Sequence, residues 1–157
     1  MGLRLPEGIR SDTALYNFLI NKGDARSLAG KIRYNSDAYH RSDSKPGSII
    51  SNYGYFLNDD LTKFDLSMFN MTPAEVERLD PNQRLLLEVV REALESSGEE
   101  WRGKKIGTYV GVFSEDWQDL HSKDTQNFAS YQLTGDNDFV WANRIAYEYD
   151  LKGPRYI

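Results

Sequence analysis

The 157-residue chain contains no cysteine. That excludes a disulfide framework, a thiolate metal site and a thiol nucleophile. Histidine is nearly as scarce. His40 and His121 lie far apart and show no metal-ligand spacing, so each is expected as a solvated loop residue. No apolar run approaches the ~20 residues of a membrane helix. The opening MGLRLPEGIR lacks the apolar centre of a secretory signal. Gly2 follows Met1, but Pro6 stands where a myristoylation pattern needs Ser or Thr. A cytoplasmic protein without a membrane partner is expected. A basic excess is also missing: 19 Lys and Arg face 24 Asp and Glu, for a net charge of −5, which argues against a nucleic-acid partner.

What is present belongs to a folded chain. Apolar residues make up 39% and aromatic residues 13%, more than a disordered segment carries. The length suits one domain over 1–157, able to bury roughly 68–70% of its unfolded surface.

The most informative stretch is 71–98, MTPAEVERLDPNQRLLLEVVREALESSG. Thr72 can cap a short helix, with Pro73 at its first position and Glu75 closing a capping box. That helix should stop by Leu79, because Asp80 precedes a proline. Asp80 then caps a second helix with Pro81 first and Gln83 placed to reach back to the Asp80 N–H. Leu85, Leu86, Leu87, Val89, Val90, Ala93 and Leu94 predict a helix covered on most of its circumference. Gly98 suits a left-handed C-cap.

Other elements are shorter. Ser11 is a candidate N-cap for a helix over 12–21, with Leu15, Phe18 and Leu19 as its apolar stripe and Gly23 at its end. Segment 25–51 is polar and without periodicity, and is expected as a long surface loop. Phe56, Phe64 and Phe69 read as buried anchors. Residues 106–113, IGTYVGVF, are nearly continuous in apolar and small side chains, which predicts a strand covered on both faces of a parallel sheet. Helix, link and strand in that order fit an α/β unit. Val140, Ile145 and Tyr149 form a last helical stripe before the turn at Lys152-Gly153-Pro154.

Several patterns that could carry chemistry fall short of it. Ser114, Asp119 and His121 invite a triad, but Gly111-Val112-Phe113-Ser114-Glu115 is not a nucleophile elbow. Glu115, Asp116, Asp119 and Asp124 lack the spacing of a calcium loop and are expected as a solvated acidic stretch. Asn70-Met71-Thr72 matches the glycosylation sequon without a secretory context. No catalytic, cofactor-binding or metal-binding residue is expected.

The string Asp80-Pro81-Asn82-Gln83-Arg84-Leu85-Leu86-Leu87-Glu88, shortly after Met71-Thr72-Pro73, resembles the ketosynthase (β-ketoacyl synthase) domain of type I polyketide synthases. Asn82 stands where that family commonly carries glutamine. Arg4-Leu5-Pro6, the segment from Tyr55 to Phe69, the strand ending Val110-Gly111-Val112-Phe113, Thr134-Gly135, Ala142-Asn143-Arg144 and Gly153-Pro154 follow in the family's order and spacing. Phe139 ahead of Ala142 resembles the fungal reducing type.

The resemblance implies an α/β architecture, a partial thiolase-like fold formed by the front part of its N-terminal half. It implies decarboxylative condensation of acyl and malonyl thioesters, with an acyl carrier protein and a second ketosynthase subunit in a homodimer as partners. The family's reaction uses a cysteine and two histidines, and no position here matches them. The family's first strand would precede residue 1 and its cysteine-bearing turn would follow Ile157. The chain is therefore expected as a truncated ketosynthase portion, inactive alone. Two alternatives stay open: a pseudoenzyme binding module pairing with an intact synthase, and an unrelated α/β enzyme with an unrecognised site.

Overall fold

A computed structural model describes residues 1–30, 33–43, 45–113, 115–123 and 130–157. The chain divides into two units, one of Leu3–Asp59 and one of Met1–Gly2 with Asp60–Ile157.

In the Leu3–Asp59 unit, a 3-10 turn at Pro6–Gly8 is closed by an antiparallel bridge between Leu5 and Ile9. Helix α1 follows at Asp12–Ile20, and the Ser11 hydroxyl accepts from the Ala14 N–H at 3.2 Å, the capping bond its sequence predicts. Leu15 and Phe18 are half-buried, but Leu19 is 64% exposed, so the apolar stripe is narrower than expected. Lys22, not Gly23, takes the left-handed conformation after α1, while the Gly23 N–H bonds the Phe18 carbonyl at 2.9 Å.

The stretch expected as loop carries β1 (Ser27–Leu28) and α2 (Ser36–Tyr39), with β2 (Tyr53–Gly54) just beyond it. β1 and β2 pair antiparallel, Ser27 opposite Gly54 and Leu28 opposite Tyr53. Two-residue strands are too short for side-chain alternation to mark them, which is why no period shows in the sequence. His40 is exposed at the end of α2, with Nε2 2.9 Å from the Ile50 carbonyl oxygen.

In the other unit, Asp65 caps a 3-10 turn at Leu66–Met68, and Phe64 stacks on Phe69 with centroids 4.8 Å apart. Helix α3 spans Pro73–Arg78, with the Thr72 hydroxyl accepting from the Glu75 N–H at 3.3 Å. Helix α4 spans Pro81–Ser97, capped by the Asp80 carboxylate, which accepts from the Asn82 N–H at 2.7 Å. From Gln83 to Leu94 every residue of α4 is buried or half-buried, so the helix is covered nearly all round, as its leucines imply. Gly98 ends it at φ 68°, a conformation glycine adopts without steric penalty.

Beyond α4 come β3 (Thr108–Tyr109), α5 (Asp116–Ser122), α6 (Gln132–Asp136), α7 (Val140–Glu148) and β4 (Arg155–Tyr156). β3 and β4 pair in parallel, Thr108 opposite Arg155 and Tyr109 opposite Tyr156. Parallel neighbours need a long crossover, here supplied by a segment that includes α7. The strand is shorter and less covered than 106–113 predicts. Thr108 is buried, but Tyr109 is 71% exposed and Phe113 fully exposed. β4 is the only strand partner of β3 among the described residues, and Tyr109 and Tyr156 are exposed.

The core of the unit gathers Phe69, Met71, Leu79, Leu87, Ile145, Ala146, Tyr149 and Leu151. The Tyr149 hydroxyl donates to the Leu87 carbonyl at 2.7 Å, and burial pushes its ionisation well above the usual phenol range. Replacing the cap tests this arrangement locally. Asp80→Ala should lower stability by about 0.5–2 kcal/mol, the usual loss for an N-cap. An unchanged urea midpoint would show that the cap does not hold α4.

Candidate functional site

Within the Asp60–Ile157 unit several residues that carry the family resemblance meet, and they meet as braces. Gly135, from the Thr134-Gly135 pair, lies against α3. A Cβ there would stand 2.8 Å from the Arg78 carbonyl carbon and closer still to its oxygen. The Gly135 carbonyl receives two donors from the start of α4, the Asp80 N–H at 3.1 Å and the Gln83 Nε2 at 2.9 Å. Gln83 therefore does not reach back to the Asp80 N–H as a capping box would require. The Asp80 N–H and the Gln83 Nε2 both donate to this carbonyl of α6, whose oxygen has two lone pairs to accept them.

The second expected capping box also opens. The Glu75 carboxylate pairs with Arg144 of α7, with side chains 17% and 11% exposed. The Lys152-Gly153-Pro154 turn is fastened to the strand beside it by Gly153 N–H to Ile106 O at 3.1 Å and Thr108 N–H to Pro154 O at 2.8 Å. Each motif thus ties one element to another through groups that would otherwise be buried without partners.

A second cluster involves α5. The Trp117 indole donates to the Arg78 carbonyl at 3.0 Å, and the Arg84 guanidinium lies over its ring, 5.8 Å from the centroid. The His121 ring meets Trp117 edge-on at 4.6 Å, and its Nδ1 lies 3.7 Å from Asp136 Oδ1. His121 is thus not a solvated loop residue: it sits on a helix, 19% exposed, against a carboxylate 1% exposed. Burial raises the affinity of Asp136 for a proton, and the facing His121 opposes that shift. Asp80 is likewise shifted up by burial, opposed by its bond from Asn82 and reinforced by the charge of Asp136.

The described triad candidates, His121 and Asp119, are not paired with each other. The carboxylate facing His121 is Asp136 rather than Asp119, and Ser114 and Asp124 lie outside the described residues. Glu115, Asp116 and Asp119 sit at and within the first turn of α5. Among the described residues no group of three or more His, Asp or Glu is placed to hold a metal ion. An open cleft of about 640 Å³ beside α3 is lined mainly by Leu61, Phe64, Leu66, Pro73, Val76 and Trp117. Its lining is mainly apolar, with Glu77 and Arg84 as its charged members. No helix among the described residues is long and apolar enough to cross a membrane.

The family model for the beta-ketoacyl synthase, N-terminal domain, matches residues 1–157, and the chain belongs to that family. A highly reducing polyketide synthase from a Fusarium species is 57% identical over 156 residues, 98% of this chain and 6% of that protein. A squalestatin hexaketide synthase from Cochliobolus lunatus is 51% identical over 155 residues, again covering 98% and 6%. The ketosynthase from module 6 of the bacillaene synthase of Bacillus subtilis 168 superimposes with a TM-score of 0.74 at 26% identity, over 98% of this chain and 25% of that one. The fold is accordingly α/β, a part of the thiolase-like ketosynthase fold, and the chain spans a small share of the curated relatives it matches.

Proposed function

We propose that residues 1–157 are the scaffold-bearing front part of the ketosynthase domain of a fungal, highly reducing type of polyketide synthase, with 25–51 as a surface excursion within it. The observation that carries this is the use of the family motifs. Asp80, Gln83, Gly135, Glu75 and Arg144 are committed to one another in pairs that join helices. Groups already paired in this way shape a domain rather than attack a substrate.

In a complete domain of this family the scaffold would serve decarboxylative condensation of acyl and malonyl thioesters, with an acyl carrier protein and a second ketosynthase subunit as partners. Acyl transfer through a thioester needs a thiolate, and the chain has no cysteine. A serine would need an adjacent base; Ser67 donates to the Asp65 carboxylate at 2.6 Å, but that carboxylate also accepts from the Ser67 N–H as the cap of the 3-10 turn.

Incubation of the protein with acyl-carrier thioesters should therefore leave its intact mass unchanged. Malonyl thioesters should release no carbon dioxide above a buffer control. A stoichiometric adduct abolished by one substitution would replace this assignment with that of an enzyme acting through an unrecognised site. The stacked Tyr109 and Tyr156 rings, 5.2 Å apart and exposed on the β3–β4 pair, favour a second role as a binding module for an intact synthase. Co-purification with such a synthase, lost on Tyr109→Lys, would establish it.

A further inference from the structure

The cleft beside α3 combines a flat apolar lining with a cation that its surroundings do not fully balance. Its volume, about 640 Å³, lies in the range of small-molecule sites. Phe64, Pro73, Pro81 and Trp117 contribute rings to the lining, and Leu61 and Val76 add aliphatic surface. These walls are held in place. Phe64 and Val76 pack against the buried core, and the Trp117 indole is fixed by its bond to the Arg78 carbonyl at 3.0 Å. Flat, fixed faces suit a planar ring, which stacks without the rotamer freedom that a flexible chain would lose on entry.

Arg84 is the cation. It is half-buried in the same lining. A guanidinium carries five N–H donors. Two bonds from this one run to backbone carbonyls, Nε to Leu79 at 3.0 Å and Nη1 to Leu61 at 3.4 Å, and its plane lies over the Trp117 ring. Burial lowers its proton affinity, and the charge of Asp80 only partly opposes that shift. The fold therefore holds a positive charge against an apolar wall with less compensation than water would give it. A carboxylate supplies what is missing, because its two oxygens match the guanidinium fork. Among the described residues lining the cleft, Glu77 is the only carboxylate, and it is exposed to water that screens it.

We infer that this cleft is a binding site for a small planar aromatic carboxylate, the ring packed on the apolar walls and the carboxylate on the Arg84 guanidinium. The apolar lining supplies the affinity and Arg84 selects the sign of charge. Glu77 opposes the same anion from the rim and tempers its binding.

Calorimetric titration of the full chain with naphthoate, with neutral naphthamide and with cationic naphthylmethylamine tests the site. Naphthoate should bind about tenfold more tightly than the amide, the difference a bond between charged partners makes, and the ammonium compound should bind weakest. Arg84→Gln should bring naphthoate down to the affinity of the amide. Because Arg84 also braces two carbonyls, two exposed positions test the site without that cost to the fold. Glu77→Gln should tighten naphthoate severalfold and leave the amide unchanged. Thr62→Trp should fill the cleft and abolish binding of both. Absence of binding, equal affinities for naphthoate and the amide, a preference that survives Arg84→Gln, a naphthoate affinity indifferent to Glu77→Gln, or binding that survives Thr62→Trp would overturn the site.

Discussion

Leu87→Ala is expected to destabilise the protein by about 2–5 kcal/mol, the range for emptying a buried leucine site. Leu87 is 1% exposed, at the centre of the cluster formed by Leu79, Ile145, Tyr149 and Leu151. The surroundings have little room to collapse into the gap. The Tyr149 hydroxyl is anchored on the backbone carbonyl of Leu87, which the substitution leaves in place. The aromatic ring therefore cannot slide inward without giving up a buried bond worth about 1 kcal/mol. In urea the midpoint should fall by about 1 M or more, with little change in slope. A midpoint within error of the parent would mean that α4 and α7 do not share a core.

Gly135→Ala should be nearly as damaging for a different reason. The added methyl meets backbone, the Arg78 carbonyl, and backbone cannot rotate away as a side chain can. α6 must withdraw from α3, at about 1–3 kcal/mol for overpacking. Withdrawal also lengthens both bonds to the Gly135 carbonyl, leaving the Asp80 N–H and the Gln83 amide short of an acceptor in a site where Gln83 is 2% exposed. Each orphaned group adds about 1–3 kcal/mol. Gly111→Ala is the control, since nothing lies within 4 Å of a Cβ there, and its effect should stay within about 0.5 kcal/mol. Equal thermal midpoints for the two variants would remove the α3–α6 brace.

The contrast between these sites marks what the sequence reveals. The caps at Ser11, Thr72 and Asp80, the left-handed Gly98 and the all-round cover of α4 rest on neighbours within a few residues, and local chemistry specifies them. The partner of Gln83 lies 52 residues away in sequence. Within the helix its amide oxygen could close a capping box, but where its N–H goes is settled by α6, which no neighbouring residue announces. The same holds for Glu75 with Arg144 and for His121 with Asp136, whose helices bear no pattern that announces the meeting. The extent of β3 was legible only as apolar content. A strand ends where its ladder ends, and Thr108–Tyr109 has a two-residue partner. The family motifs were recognisable as strings, but their roles as braces became visible only once the elements were placed.

The parallel pairing of Thr108 with Arg155 also orders events in time. α4 can form from contacts three and four residues apart, whereas the bond from Tyr149 to Leu87 joins groups 62 residues apart. Closing so long a span is entropically unfavourable until the contacts it brings are made, and non-local pairings of this kind slow folding. On the ribosome, α3 and α4 emerge well before α7 and β4. For that interval the leucines of α4 have no Ile145 or Tyr149 to cover them, and the nascent chain holds its longest helix ready with its core face still open.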